Sequence, residues 1–372
     1  MSSVLSLRRH PLKGIYITLR LLALIPLIPA WAITSVFSRP RASWTIAECI
    51  VIRLIHWVMP LNAQCGLSPQ STDKTREVPQ KELKETSFVW LEPIPDSLVV
   101  GIAADEKVKP VRIPGYIWPK NADLKTDGLV GLFIHGGGYM MGNGSESFEE
   151  TNIARTVYQK TKIKRILALD YRLSGETCHP AQLLDALAAY SHLVNTVRIH
   201  PAKIVIFGAC AGGHLVLLLL RYLYEEKVLP MPAAAMLFSP WVDMVIDKEI
   251  QSGLTAERPN TSVDSLATSF VVNLQFLGHS PPSLLLTPYF SANRAPPNAY
   301  KGYPSVFVSV GAAEAFRREC EQLVELMRTD GVNVELDVQE DAVHDFLGFT
   351  IVPSKKAREN VMVRVQSWVD AL

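Results

Sequence analysis

The sequence predicts an α/β protein with a mostly parallel central sheet, helices on both faces and a helical cap. Two observations predict it. From residue 111 onward, short β-rich runs alternate with runs of helix length, a pattern that implies right-handed crossovers between parallel strands. The alternation has one long interruption, residues 241–302, with a Pro-rich, helix-bearing composition. Such a segment suits an insertion above the carboxyl ends of the strands, where ligands bind in this architecture.

Strands are expected over 111–118 (VRIPGYIW), 128–135 (GLVGLFIH), 164–170 (KRILALD), 203–208 (KIVIFG), 233–238 (AAAMLF), 304–311 (PSVFVSVG) and 333–339 (NVELDVQ). Helices are expected over 148–161, 180–197, 212–227, 317–331 and 354–372. A chain of 372 residues accommodates one large domain with insertions, and no internal repeat is visible. The expected plan is an N-terminal membrane anchor at 1–40, a cap helix and linker at 41–95, a core built from 96–240 and 303–372, and a cap insertion at 241–302.

Between Ile15 and Phe37 nearly every residue is apolar, and Arg8, Arg9 and Lys13 precede the run. That length can span a bilayer, although Arg20 lies inside it and Pro26 and Pro29 are expected to kink it. A signal peptide is the competing reading, because Ala30-Trp31-Ala32 resembles a cleavage site. The expectation is an uncleaved anchor or membrane-embedded hairpin, in the endoplasmic reticulum, with the leading positive charges favouring a cytosolic N-terminus. Residues 41–61 form a second apolar stretch carrying Arg53 and His56, and read as a helix lying on a membrane or covering a pocket. Residues 68–85 are polar and charged, and read as a linker or ordered loop.

The formal charge of +1 and the absence of a Lys/Arg block argue against a nucleic-acid partner, which requires clustered positive charge. A small apolar molecule is the expected partner, and the oligomeric state is left open. The five cysteines, Cys49, Cys65, Cys178, Cys210 and Cys320, are odd in number, scattered and without CxxC spacing. Neither a disulfide framework nor a metal site is expected from them.

Four motifs fall at the ends of expected strands. His135-Gly136-Gly137-Gly138 supplies backbone N–H groups that a substrate oxygen can approach closely. Gly208-Ala209-Cys210-Ala211-Gly212 joins a strand to a helix in the layout of a nucleophile elbow, with Cys where Ser is usual. Glu314 follows PSVFVSVG, and His344 follows the next strand in the stretch VHDF. Singly, His135–Gly138 reads as a glycine turn as readily as a site, and an inert core thiol, a helix-starting Glu and a solvated loop His are the commoner readings of the other three. Taken in chain order, they reproduce nucleophile, acid and histidine at the strand ends where a site must lie.

Together with LDYRL (169–173), SPWVD (239–243) and GAAEAFRRE (311–319), these motifs make residues from about 100 to 372 resemble the hormone-sensitive-lipase-like α/β-hydrolases, the α/β-hydrolase fold-3 family. The chain is similar to fungal membrane-anchored esterase-like members. The resemblance implies that Cys210 is the nucleophile, His344 the general acid/base and Glu314 the acid that orients it. It implies oxyanion-hole donors at Gly137, Gly138 and Ala211, and no cofactor. Asp170 and Asp243 read as buried structural hydrogen-bonders. Two departures stand out: Cys210 replaces the family's Ser, and SGETCHPA (174–181) replaces its usual Ala-Pro-Glu-His-Pro run.

A thiolate paired with an imidazolium can attack a carbonyl and form a thioester. The expected function is therefore hydrolysis or acyl transfer on an apolar ester or carbonyl substrate. Two alternatives remain open on the same residues: a non-hydrolytic cyclase or condensing enzyme of secondary metabolism, and a catalytically silent binding protein.

Overall fold

The computed structural model describes residues 7–67, 71–245, 270–351 and 354–372. Strands β1 (Ser87–Leu91), β2 (Ile113–Trp118), β3 (Val130–Ile134), β4 (Arg165–Leu169), β5 (Ile204–Ala209), β6 (Ala234–Phe238), β7 (Ser305–Gly311) and β8 (Val334–Gln339) form an eight-stranded sheet in the order β1-β2-β4-β3-β5-β6-β7-β8. β2 pairs antiparallel with β1 and β4, and the remaining pairs are parallel.

Successive residues of these strands face opposite layers. Leu132, Ile134, Leu167, Leu169, Ile204 and Ile206 pack on one side with helices α5 (Ala181–Ser191), α6 (Ala211–Glu226) and α8 (Arg317–Thr329). Phe133, Ile166, Ala168, Val205 and Phe207 pack on the other with α4 (Asn152–Lys160) and α9 (Lys355–Asp370). α8 shows how the sequence sets this. Its buried residues Cys320, Leu323, Val324 and Met327 recur at helical spacing, so one stripe faces the sheet and the rest meets solvent. α6 is buried from Ala211 to Leu223, as the central helix behind the elbow must be.

The sheet has one strand more than expected. β1 lies within the 41–95 segment assigned to a linker, and pairs with β2 from Ser87↔Ile117 to Leu91↔Ile113. SFVWL is short and follows a polar stretch, so only its antiparallel partner identifies it as an edge strand.

At the N-terminus, α1 (Leu12–Leu22) and α2 (Leu24–Phe37) are separated at Ala23 rather than kinked at the prolines. Pro26 has no N–H to bond the carbonyl of Leu22, so the helical ladder breaks one turn upstream of it. α3 (Ile46–Cys65) packs beside α2. Arg20, the charge inside the apolar run, stacks its guanidinium 3.7 Å from the centre of the Trp57 ring and donates to the Trp57 carbonyl. Just before α3, Arg41 donates to the carbonyl of Ala312 (2.8 Å) and the Trp44 indole N–H to that of Asp341 (3.1 Å), fastening this segment to the loops after β7 and β8.

α7 (Phe270–Leu277) is an α-helix in the described part of the cap. The middle of the expected cap insertion, 246–269, lies outside the described residues.

Candidate active site

Parallel pairing brings the carboxyl ends of five strands level. Ile134 pairs with Gly208, Ala209 with Phe238, Phe238 with Ser309, and Gly311 with Gln339. The residues just beyond those ends therefore emerge along one edge: His135 after β3, Cys210 after β5, Ser239 after β6, Glu314 after β7 and His344 after β8.

Cys210 occupies the turn between β5 and α6 with φ 50° and ψ −118°, a conformation that L-residues rarely adopt. Such a backbone costs about 1–3 kcal/mol and persists only where its surroundings over-determine it. Here they do. The Cys210 N–H donates to the Phe238 carbonyl, and its carbonyl accepts from the N–H groups of His214 and Trp241, each at 3.0 Å. Cys210 is buried, at 7% exposure.

The glycine loop lies directly against this elbow. A Cβ on Gly136 would sit 2.8 Å from the Ala209 carbonyl oxygen and 3.0 Å from Cys210 Cβ, so no larger residue fits. Gly137 and Gly138 both take positive φ, 89° and 60°. Among the described residues, no acceptor is paired with the N–H of Gly137, Gly138 or Ala211.

Three buried groups hold the loop in shape. The Tyr171 hydroxyl lies 3.0 Å from the carbonyl oxygens of both His135 and Gly136. The His135 ring stacks on Tyr171 at 4.1 Å, and its Nδ1–H donates to the Gly136 carbonyl at 2.9 Å. Burial lowers the His135 pKa to about 3, so the ring is neutral. Tyr139 donates its hydroxyl to His214 Nδ1 at 2.5 Å, while His214 Nε2–H donates to the Phe290 carbonyl at 3.1 Å. Burial holds His214 neutral as well, at about 3. Tyr139 also stacks on Phe276 of α7 at 4.2 Å, so the cap rests on the glycine loop.

In the loops after β7 and β8, His344 Nδ1 lies 3.7 Å from Glu314 Oε2. This is ion-pair range, looser than a hydrogen bond. Both side chains are buried, and the His344 and Phe316 rings meet at right angles with their centres 5.0 Å apart. The Ser239 hydroxyl donates to the same Glu314 Oε2 at 2.7 Å and accepts from the Asp345 N–H at 3.2 Å.

Beneath the loop, the carboxylate of buried Glu150 accepts from the Gly136 N–H at 2.6 Å. Burial, then the charge of Asp345 and a hydrogen bond shared with it, push Glu150 well above the ordinary carboxyl range, and the nearby Cys210 adds to the effect. Glu150 thus stands between the elbow and the residue that follows His344.

All the sequence-derived site residues fall at this edge, and Glu314 and His344 face each other within it. The sequence does not single out Ser239, Glu150 or Tyr171 as site residues; Ser239 lies within SPWVD and Tyr171 within LDYRL. Asp170 is a buried structural group as expected, 3.1 Å from Lys74 Nζ. Asp243 differs, being only partly buried in an ion pair with Arg294 at 2.9 Å.

A family model described as the alpha/beta hydrolase fold matches residues 131–348. The chain is 26% identical over 249 residues to an acetyl-hydrolase of Streptomyces hygroscopicus, spanning 67% of this chain and 74% of that protein. It is 28% identical over 155 residues to steryl acetyl hydrolase 1 of Saccharomyces cerevisiae, spanning 40% of this chain but only 35% of the yeast protein. Among solved structures, carboxyl esterase 2 of the mycorrhizal fungus Tuber melanosporum superposes with a TM-score of 0.61 at 18% identity, covering 77% of this chain and 87% of that one. A hormone-sensitive lipase from a metagenome library gives 0.60 at 22% identity, covering 86% and 97%.

Proposed function

The chain belongs to the alpha/beta hydrolase fold family, in its hormone-sensitive-lipase-like branch, and on that premise we propose that it removes or transfers the acyl group of an apolar ester through Cys210, His344 and Glu314. The observation that carries this reading is the strained Cys210 turn, held against a glycine loop in which the N–H groups of Gly137 and Gly138 have no acceptor among the described residues. A backbone strained by about 1–3 kcal/mol at one side chain is the mark of a placed nucleophile rather than of core packing.

In this mechanism His344 takes the Cys210 proton at Nε2, while Glu314 holds the imidazolium at Nδ1. The sulfur adds to the ester carbonyl, and the developing oxyanion is received by the N–H groups of Gly137, Gly138 and Ala211. The C–O bond then breaks, the leaving alkoxide takes the proton from His344, and a thioester remains on Cys210. Water, or an acceptor alcohol, deprotonated by His344, attacks the thioester and restores the thiol. The names of the acetyl-hydrolase and steryl acetyl hydrolase relatives favour a short acyl group on a bulky apolar alcohol.

The test is mass spectrometry of the protein mixed with acetyl esters of apolar alcohols. An acyl adduct on the Cys210 peptide, absent in Cys210→Ala, is expected. Full turnover in Cys210→Ala would remove the covalent route. Cys210→Ser separates a pocket adapted to sulfur, in which turnover falls, from a weakened serine site, in which it rises.

Membrane attachment through α1 and α2, at the endoplasmic reticulum, belongs to the same reading. Its support is the exposed apolar surface of these helices, with Leu19 60%, Ile25 71% and Phe37 84% exposed, together with a combined length of 26 residues. A span of that length is about 39 Å, enough to cross a bilayer. Recovery of the full-length chain in the detergent-free soluble fraction would contradict the attachment.

A further inference from the structure

The stretch SGETCHPA, which departs from the family pattern, holds a second thiol in a second constellation. Cys178 Sγ lies 3.7 Å from His279 Nδ1, and His279 Nε2 lies 2.7 Å from Asp105 Oδ2. Three segments far apart in the chain thus set a thiol, an imidazole and a carboxylate in line. Asp105 Oδ1 accepts the N–H groups of Lys107 (2.6 Å) and Val108 (2.9 Å), which fixes the carboxylate. Burial opposes charge on Asp105, yet the hydrogen bond from His279 and those two amides outweigh it and hold the carboxyl below its ordinary range.

With Nε2–H donated to Asp105, His279 turns its Nδ1 lone pair toward the thiol and can take its proton, leaving a thiolate beside an imidazolium. Ionisable groups close to this set include Glu106 and Lys107 in the same turn as Asp105, His179, which burial keeps neutral at about 4, and Lys109, whose Nζ donates to the Asp105 carbonyl at 3.1 Å. Cys49, Cys65, Cys210 and Cys320 are buried, whereas Cys178 is half-buried and the His279 side chain is 39% exposed. A small solute can reach this pair from solvent.

The site is also wedged into the cap. A Cβ at Gly278 would overlap Cys178 Cβ and Sγ, so the turn that ends α7 closes directly over the sulfur. The His179 N–H donates to the Phe276 carbonyl at 2.7 Å, and Phe276 stacks on Tyr139 of the glycine loop.

We propose that Cys178 is a hydroperoxide-reactive thiol, activated by His279 and Asp105, whose oxidation loosens the end of α7 from the glycine loop. The thiolate attacks the terminal oxygen of a hydroperoxide; an S–O bond forms and the O–O bond breaks. Sulfur is oxidised by two electrons to the sulfenic acid, and the peroxide is reduced. The leaving hydroxide or alkoxide takes the proton from His279 and departs as water or alcohol. A proton donor placed beside the sulfur serves an oxyanion leaving group, which is why the geometry favours a hydroperoxide over an alkylating agent. Gly278 leaves no space for even a Cβ beside the sulfur, so the sulfenic oxygen, on rotating in from the solvent side, displaces the turn.

The experiment is hydrogen peroxide treatment of the full-length protein with dimedone present, followed by quantification of the adduct on the Cys178 peptide. Cys178 labels about 10-fold or more faster in the wild type than in His279→Gln, with Asp105→Asn also slowed, because an unactivated thiol is only a few per cent thiolate at neutral pH. Iodoacetamide, which needs no proton, slows less in His279→Gln than peroxide does; an equal slowing of both would overturn proton donation by His279. Absence of labelling at Cys178, or equal labelling in wild type and His279→Gln, would overturn the activated thiol. Hydrogen exchange in the peptide covering α7 rises on oxidation of the wild type and not of Cys178→Ser; no rise in the wild type overturns the effect on the cap. These readouts are independent of ester turnover, so they stand or fall apart from the role of Cys210.

Discussion

The Ser239 hydroxyl donates to Glu314 Oε2 at 2.7 Å, while accepting from the amide that follows His344. One side chain thus ties the acid to the loop that carries the histidine. Replacing Ser239 with Ala removes a hydrogen bond to a buried charged group, worth about 1.5–3 kcal/mol. Expressed in the transition state, that is about 10- to 100-fold in kcat/KM. Steady-state kinetics with an apolar acetyl ester checks it, and a Ser239→Thr variant that keeps the hydroxyl should retain most of the activity.

Tyr171→Phe tests the oxyanion loop. The hydroxyl serves the buried carbonyls of His135 and Gly136, and its loss leaves at least one of them unsatisfied, at about 1–3 kcal/mol. The expected result is a lower unfolding midpoint together with a fall in kcat larger than the rise in KM, because the loop is to bind the oxyanion rather than the ground state.

The strain at Cys210 has a direct stability signature. Glycine tolerates the observed φ of 50°, whereas Ala retains the clash. Relief of about 1–3 kcal/mol, less the entropic cost of glycine in the unfolded chain, leaves Cys210→Gly about 1 kcal/mol more stable than Cys210→Ala. Thermal unfolding of the two variants side by side is the measurement, and equal midpoints would show that the turn stores no strain.

Glu150 makes the fold sensitive to pH. Its folded pKa is raised above the ordinary value of 4.5, so the folded state holds a proton that the unfolded chain releases. The stability linked to this group is fully present below about 4.5 and is lost as pH rises toward the folded value. Glu150→Gln cannot ionise and escapes that loss. The difference in melting temperature between Glu150→Gln and wild type should therefore move in favour of the variant as pH increases from 4 to 8. A difference that stays constant would mean that Glu150 titrates normally.

Strands β2 to β8 were legible because each is a short apolar run bounded by turn residues, and the site motifs were legible because each sits just beyond such a run. β1 was not, since five residues after a polar stretch become a strand only through pairing with β2. Ser239 and Tyr171 lie within SPWVD and LDYRL, but their roles depend on which oxygen each hydroxyl reaches, and sequence order does not carry that. Glu150 stands in no motif, and its burial comes from contacts with Gly136 and with the loop around Asp345 and Gly348, which lie far from it in the chain. The set of Cys178, His279 and Asp105 spans three distant segments and has no spacing that could betray it.

The bonds from Arg41 to the Ala312 carbonyl and from Trp44 to the Asp341 carbonyl decide where this protein can be cut. An expression boundary chosen to discard every apolar N-terminal residue, after α3, would also strip a donor from each of the two loops that present Glu314 and His344. A boundary just after α2 removes the exposed apolar helices and leaves both donors attached. The shorter product would be the more soluble of the two, and the longer one is the version in which an assay reads the intact site.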